Sequence, residues 1–222
     1  MARLRRLEWP GQTHYLIQRA HGALGEAGIF TDAFDRAQFL DALTAAARAE
    51  TVQVHGYALL TNEVQLLATP SEAGALGRLM QALGRRYVSA YNRRHGHRGS
   101  VWDGRFRGAV VEPGADRLAA LLLVDGQSAE PGWTSRGPRT GSPPDPLLND
   151  TPEWWALGNT PFEREASYRA RLLHGLPPAQ TQALRQAALG GWAAGSAAFV
   201  AAVAAATARP AQPRPRGRPP RI

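Results

Sequence analysis

The hydrophobic and polar positions change period several times along the chain. Thr13 to Arg19 holds His14, Tyr15, Leu16 and Ile17 in its middle, a β-branched and aromatic run that predicts a first strand. Asp32 is suited to cap a helix, and behind it Phe34, Phe39, Leu40 and Leu43 recur at helical spacing, predicting a helix to about Ala49. Val52, Val54, Gly56 and Ala58 then alternate with Gln53, His55 and Tyr57, which predicts a strand ending near Leu60. Thr61-Asn62 is turn material, and Glu63 to Ala68 returns as the second strand of a hairpin. Pro70 and Ser71 are expected to open a long helix with Leu76, Leu79, Met80, Leu83, Tyr87 and Tyr91 on one side, closed by Gly96 to Gly99. A strand from about Phe106 to Glu112 and a helix from Ala115 to Val124 follow.

The order strand, helix, hairpin, helix, strand, helix predicts an α+β fold, an antiparallel sheet with helices packed on it. Ser135 to Asp150, with two glycines and four prolines, reads as a linker. Beyond it, Phe162 to Leu173, Pro178 to Gln186 and Ser196 to Thr207 read as helices. From Arg209 the Pro/Arg composition predicts disorder. The expected division is a main domain over 1–133, a linker over 134–150, a helical extension over 151–208 and a tail over 209–222.

Composition narrows the class of function. The absence of cysteine excludes disulfides and Cys-ligated zinc or iron–sulfur centres. The most apolar stretch, Ala193 to Ala208, is alanine-rich and lacks the Leu/Ile content of a membrane span, and no long apolar core follows Arg5-Arg6 as in a signal peptide. The expectation is a cytoplasmic, nucleoid-associated protein with no membrane partner. The net charge is +8, and all 26 basic residues are arginine. A GC-rich genome accounts for arginine over lysine but not for the excess of base over acid. That excess is clustered: Arg78, Arg85, Arg86, Arg93, Arg94, Arg98, Arg105 and Arg107 face only Asp103 and Glu112 between Leu76 and Glu112. With Tyr87, Tyr91, Trp102 and Phe106 interleaved, the segment combines phosphate contacts with stacking surfaces, as single strands and hairpins require. His95 and His97 have metal-pair spacing but lie in a Gly-rich loop, where a solvated role is expected.

Several motifs resemble one family. Leu60-Thr61-Asn62-Glu63-Val64-Gln65-Leu66-Leu67 resembles the Met-Pro-Asn-His-x-His-Leu-Leu pattern of REP-associated tyrosine transposases, single-tyrosine members of the HUH class. Arg-Leu-Glu-Trp-Pro-Gly near the start, Gly28-Ile29-Phe30, Leu79 to Tyr87, Tyr91 to Gly96, Val101 to Phe106 and Trp155 to Phe162 are similar to further parts of that family, at kept spacing. The resemblance implies a ferredoxin-like HUH endonuclease fold, DNA as partner, and a monomer or homodimer. The tail segment around Arg216-Gly217-Arg218 resembles an AT-hook core, which would add contacts to flanking A·T-rich duplex.

The departures from the pattern bear on activity. In the family, two histidines at i, i+2 hold a divalent metal; here the positions are Glu63 and Gln65. The family's nucleophilic tyrosine aligns with Leu123, which has no nucleophilic atom, and its third metal ligand aligns with Gln127. Glu63, Gln65 and Gln127 would suit only Mg²⁺ or Mn²⁺, and one carboxylate is little charge for such an ion. The preferred reading is therefore an inactive site with no required cofactor. The chain is expected to bind single-stranded or hairpin DNA without nicking it. The alternatives are a metal-dependent nickase with a non-standard site, or an RNA or ribonucleoprotein binder.

Overall fold

The computed structural model describes residues 5–127 and 133–213. Strand β1 (His14–Arg19), helix α1 (Ala33–Ala49), the hairpin β2 (Val52–Leu60) and β3 (Glu63–Pro70), helix α2 (Ala75–His95), strand β4 (Arg107–Val111) and helix α3 (Ala115–Asp125) follow in the predicted order. β3 pairs with β2 on one side and β1 on the other, and β1 pairs with β4, all antiparallel. The order β2-β3-β1-β4 on a β-α-β-β-α-β chain is the ferredoxin-like arrangement.

Alternation along the strands decides which helices cover which face. Leu16, Val64, Leu66 and Ala68 pack with Phe39 and Leu43 of α1 and with Leu79, Leu83 and Tyr87 of α2. Tyr15, Ile17, Leu67, Ala109 and Val111 point the other way and pack against α3. Burying each large apolar side chain contributes about 1.5–3 kcal/mol, so both faces of the sheet carry a share of the stability. Asp32 caps α1 as expected, its side chain accepting from Phe34 N and Asp35 N.

The structure departs from the expectations in four places. α2 begins at Ala75 rather than at Pro70, because Pro70 pairs with Val52 as the last residue of β3 and its carbonyl accepts from Gly11 N. Positions 135–150 are not a free linker. β2 is a sheet edge with unpaired backbone groups, and the flanking residues of this segment satisfy them: Leu59 N donates to Trp133 O, Ser135 N to Tyr57 O, and Asn149 N to Val54 O. The edge is thereby covered, and Ser135, Arg139 and Leu147 are buried.

Third, the C-terminal helices are part of the same packing. After a short α4 (Pro152–Trp155), α5 (Pro161–His174) and α6 (Pro178–Gly190) place Tyr168, Leu184 and Ala188 in the core beneath Leu67 and Leu121. A two-residue strand, β5 (Ala193–Ala194), extends the sheet parallel to β4, and α7 (Ala197–Thr207) follows, capped by Ser196. Fourth, the first residues of the expected tail are placed: Ala211 is buried and accepts from Ala193 N. Residues 214–222, with the AT-hook-like Arg216, Gly217 and Arg218, lie outside the described residues.

Candidate nucleic-acid interface

The hairpin turn and the register of β3 set one group of candidate residues. Gly28 approaches the turn so closely that a Cβ there would lie 2.1 Å from Thr61 O, and its φ of +64° is one glycine takes without strain. Ile29 N and Ala20 N donate to Thr61 O and Asn62 O, holding the turn from both sides. Register then puts Glu63 opposite Arg19 and Gln65 opposite Ile17, on the face covered by α3 and α6. A cavity of about 630 Å³ opens there, and Glu63, Leu123 and Gln127 share its walls with Arg36 and Arg185. Three positions that the resemblance aligns with the family's catalytic residues are thus brought together, from β3 and from α3 with the turn that follows it. Gln65 is buried behind them.

The side chains in this group are already engaged with one another. The Tyr15 hydroxyl donates to Gln65 Oε1 at 2.8 Å, and Gln65 Nε2 donates to Glu63 Oε1 at 2.8 Å. Arg185 forks onto the carboxylate, Nη1 to Oε1 at 2.9 Å and Nη2 to Oε2 at 3.1 Å, and Arg19 Nε adds a third contact at 3.3 Å. Bidentate guanidinium–carboxylate pairs are among the stronger charged contacts. Gln127 turns back on its own helix, Nε2 donating to Leu123 O. Burial pushes the Tyr15 phenol well above its ordinary range, with opposed effects from Arg185 and Glu63, so it stays protonated at neutral pH. Tyr15 joins Glu63 through Gln65, a link that sequence spacing between β1 and β3 does not reveal.

A second group spans α2 and the loop after it. Arg85, Arg86, Arg93 and Arg105 are exposed, as expected for phosphate contacts. The expected stacking surfaces are corrected. Tyr87 and Tyr91 are buried among Phe30, Phe39 and His95, their hydroxyls donating to Ile29 O and Gly28 O, and no base can reach their faces. Phe106 is also buried, with the Arg6 guanidinium 4.0 Å from its ring centroid. Trp102 remains half-buried and lines a groove of about 580 Å³ with Arg105 and Gln81. Arg94 is held by Asp32 and Asp35 across the α1–α2 seam, and Arg107 donates to Leu189 O. His95 is exposed as expected, but it ends α2 rather than lying in the loop, and its Nε2 lies 3.1 Å from Asp35. Hydrogen bonds from Thr31, His95 and Arg94 overcome burial and hold the Asp35 carboxyl below its usual range.

The two groups are joined by arginines. Arg19, which touches Glu63, shares a shallow cavity with Arg105 and Arg107, and these two line a further cavity with Arg5, Arg6 and Arg209. Arg185, Arg36 and Arg5 were not singled out by motif, because their place in the track depends on how α6, α1 and the first described residues pack. Among the described residues no group of three or more His, Asp or Glu side chains is gathered to hold a metal, and no helix is long and apolar enough to cross a membrane.

No family model and no curated protein matches the chain. Among solved structures it is similar to a REP-associated tyrosine transposase bound to a REP hairpin, at 12% identity and a TM-score of 0.45, over 60% of this chain and 76% of that one. It is also similar to a Deinococcus radiodurans R1 protein provisionally classed as a transposase, at 19% identity and a TM-score of 0.38, over 51% of this chain and 88% of that one.

Proposed function

We propose that this chain binds single-stranded or hairpin DNA and does not cut it. The observation that carries the reading is the cavity at Glu63. There the position aligned with a nucleophile is Leu123, an alkyl side chain, and the carboxylate is closed by the Arg185 fork. A phosphodiester entering this cavity meets Arg36 and Arg185, and its lining holds the Thr61 and Thr181 hydroxyls but no tyrosine. A divalent cation would need several oxygens presented together. Both Glu63 oxygens are taken by Arg185 and the Gln65 carbonyl by Tyr15, so the donor set does not fit Mg²⁺ or Mn²⁺ as it stands. The guanidinium supplies the positive charge that the carboxylate calls for.

Single-stranded or hairpin DNA suits the surface better than duplex alone. The arginines form a track through cavities, with Trp102 half-exposed beside it, and a stackable surface rewards unpaired bases. The resemblance of the β2–β3 hairpin motif to REP-associated transposases supports DNA over RNA. The test is a labelled hairpin with single-stranded flanks, followed by native gel at increasing salt. Log K is expected to fall by roughly 0.7 per phosphate contacted on the single-stranded part. Affinity that does not change with salt, or binding to RNA hairpins in clear preference to DNA, would remove the reading.

A further inference from the structure

We infer that the cavity between the N-terminal segment, β4 and the end of α6 is a subsite for one nucleotide of a single strand, with its phosphate on Arg209 and its base on Trp192. This rests on the nucleic-acid reading above and adds a place where the strand is gripped. The cavity measures about 260 Å³. Small-molecule sites run from about 300 Å³ upward, so this one takes at most a single nucleotide unit, and excludes a duplex. Five arginines line it against one carboxylate, Glu8, which is itself held by Leu76 N. His14 on its wall is neutral at physiological pH: burial lowers its pKa to about 4, its Nδ1 donates to Gln12 O and its Nε2 accepts from Trp9 N.

Arg209 is the observation that points to a ligand. Its Nε and Nη1 are shielded from solvent by the protein and have no hydrogen-bond partner. Leaving a charged donor in that state costs more than leaving a neutral one, and a turn of the guanidinium toward the cavity it lines would bring these atoms to an anion there. The guanidinium lies 5.5 Å from the Trp192 ring centroid, so cation and indole are presented together. The place of Trp192 depends on the residue two before it: a Cβ on Gly190 would lie 2.2 Å from the indole Nε1, so only glycine there admits this rotamer. Gly191 follows at φ +72° and turns the chain so that the indole meets the cavity. Phe106, on the opposite wall, is buried, whereas Trp192 is only partly buried and is the ring that offers a stacking surface. Arg105 is exposed at the wall shared with the neighbouring groove and gives the strand its way out.

The experiment is fluorescence-anisotropy titration of full-length protein with labelled oligothymidylate pentamers, with and without a 5′-phosphate, and with the hairpin above. Trp192→Ala and Arg209→Gln are each expected to weaken pentamer binding about tenfold or more, the range that loss of one base stack or one charged phosphate contact produces. Arg105→Ala, at an exposed position that cannot unfold the chain, is expected to weaken it less. Stronger binding of the 5′-phosphorylated pentamer would place a terminal monoester on Arg209; equal binding would place an internal diester there. Thermal melts of each variant identify loss of folding, and Trp192→Phe, which keeps a ring, is expected to restore most of the affinity. Folded variants that bind the pentamer as the parent does would overturn the subsite while leaving the nucleic-acid reading intact. A parent protein that binds the hairpin but not the pentamer would do the same, and one that binds neither would overturn both.

Discussion

Arg185 reaches Glu63 from a helix 122 positions further along the chain, and this one fork decides how the cavity behaves. Removing it leaves a largely buried carboxylate with the Gln65 amide and Arg19. Arg185→Ala is therefore expected to lower stability by about 1–3 kcal/mol in urea denaturation at neutral pH. An unchanged midpoint would mean the pair is solvent-screened and contributes nothing. A second residue-level expectation concerns acid. His14 has a folded pKa of about 4 against 6.5 in the open chain, and burial lowers His55 in the same direction. Below pH 6.5 the unfolded chain takes up protons that the folded protein refuses, so stability is fullest above that value. It declines as pH falls toward 4, by about 3 kcal/mol for His14 alone. Denaturation midpoints at pH 7 and pH 5 test this, and His14→Gln should flatten the difference.

Among the elements, those that hold themselves by local pattern were the legible ones. Asp32 capping α1 and the apolar stripe of α2 appear where the sequence places them, whereas the alternation of β2 is broken by a register shift between Val54 and Gly56, and Val54 to Leu59 are all buried. What the pattern hides is any contact whose cause is distant. The segment over 135–150 has the prolines and glycines of a linker, yet it covers the β2 edge and sends Arg139 into the core. There Arg139 meets Asp125 at 3.2 Å and His55 O at 2.6 Å, and Asp125 also accepts from Ser135 and Tyr168. Tyr87 and Tyr91 were misread for a related reason: a phenol on a basic helix looks like a stacking surface until the loop at Gly28–Ile29 arrives to accept its hydroxyl. Arg139→Met is expected to cost about 3–5 kcal/mol, since it strands Asp125 without its cation. The double variant Arg139→Met with Asp125→Asn is expected to recover part of that loss. Additive losses in a urea double-mutant cycle would show that the two side chains are not coupled.

Over the whole molecule, the net charge of +8 was readable at once, but its course was not. The track from Arg36 and Arg185 through Arg19, Arg105 and Arg107 to Arg209 draws on both ends of the described chain and on both sides of the sheet. Motif reading reached only the part lying between Leu76 and Glu112. Glu63, Leu123 and Gln127 line one cavity, and an engaged carboxylate beside an alkyl side chain is what the proposal of binding without cleavage rests on. The most direct test incubates the full-length protein with end-labelled hairpin DNA in Mg²⁺ and, separately, Mn²⁺. The products are run on a denaturing gel, with a native gel of the same samples. A shifted complex whose DNA remains full-length and free of covalently attached protein is the expected result. A shortened strand or a protein-linked band, abolished by Glu63→Ala, would contradict the account and make the cavity a working nuclease centre.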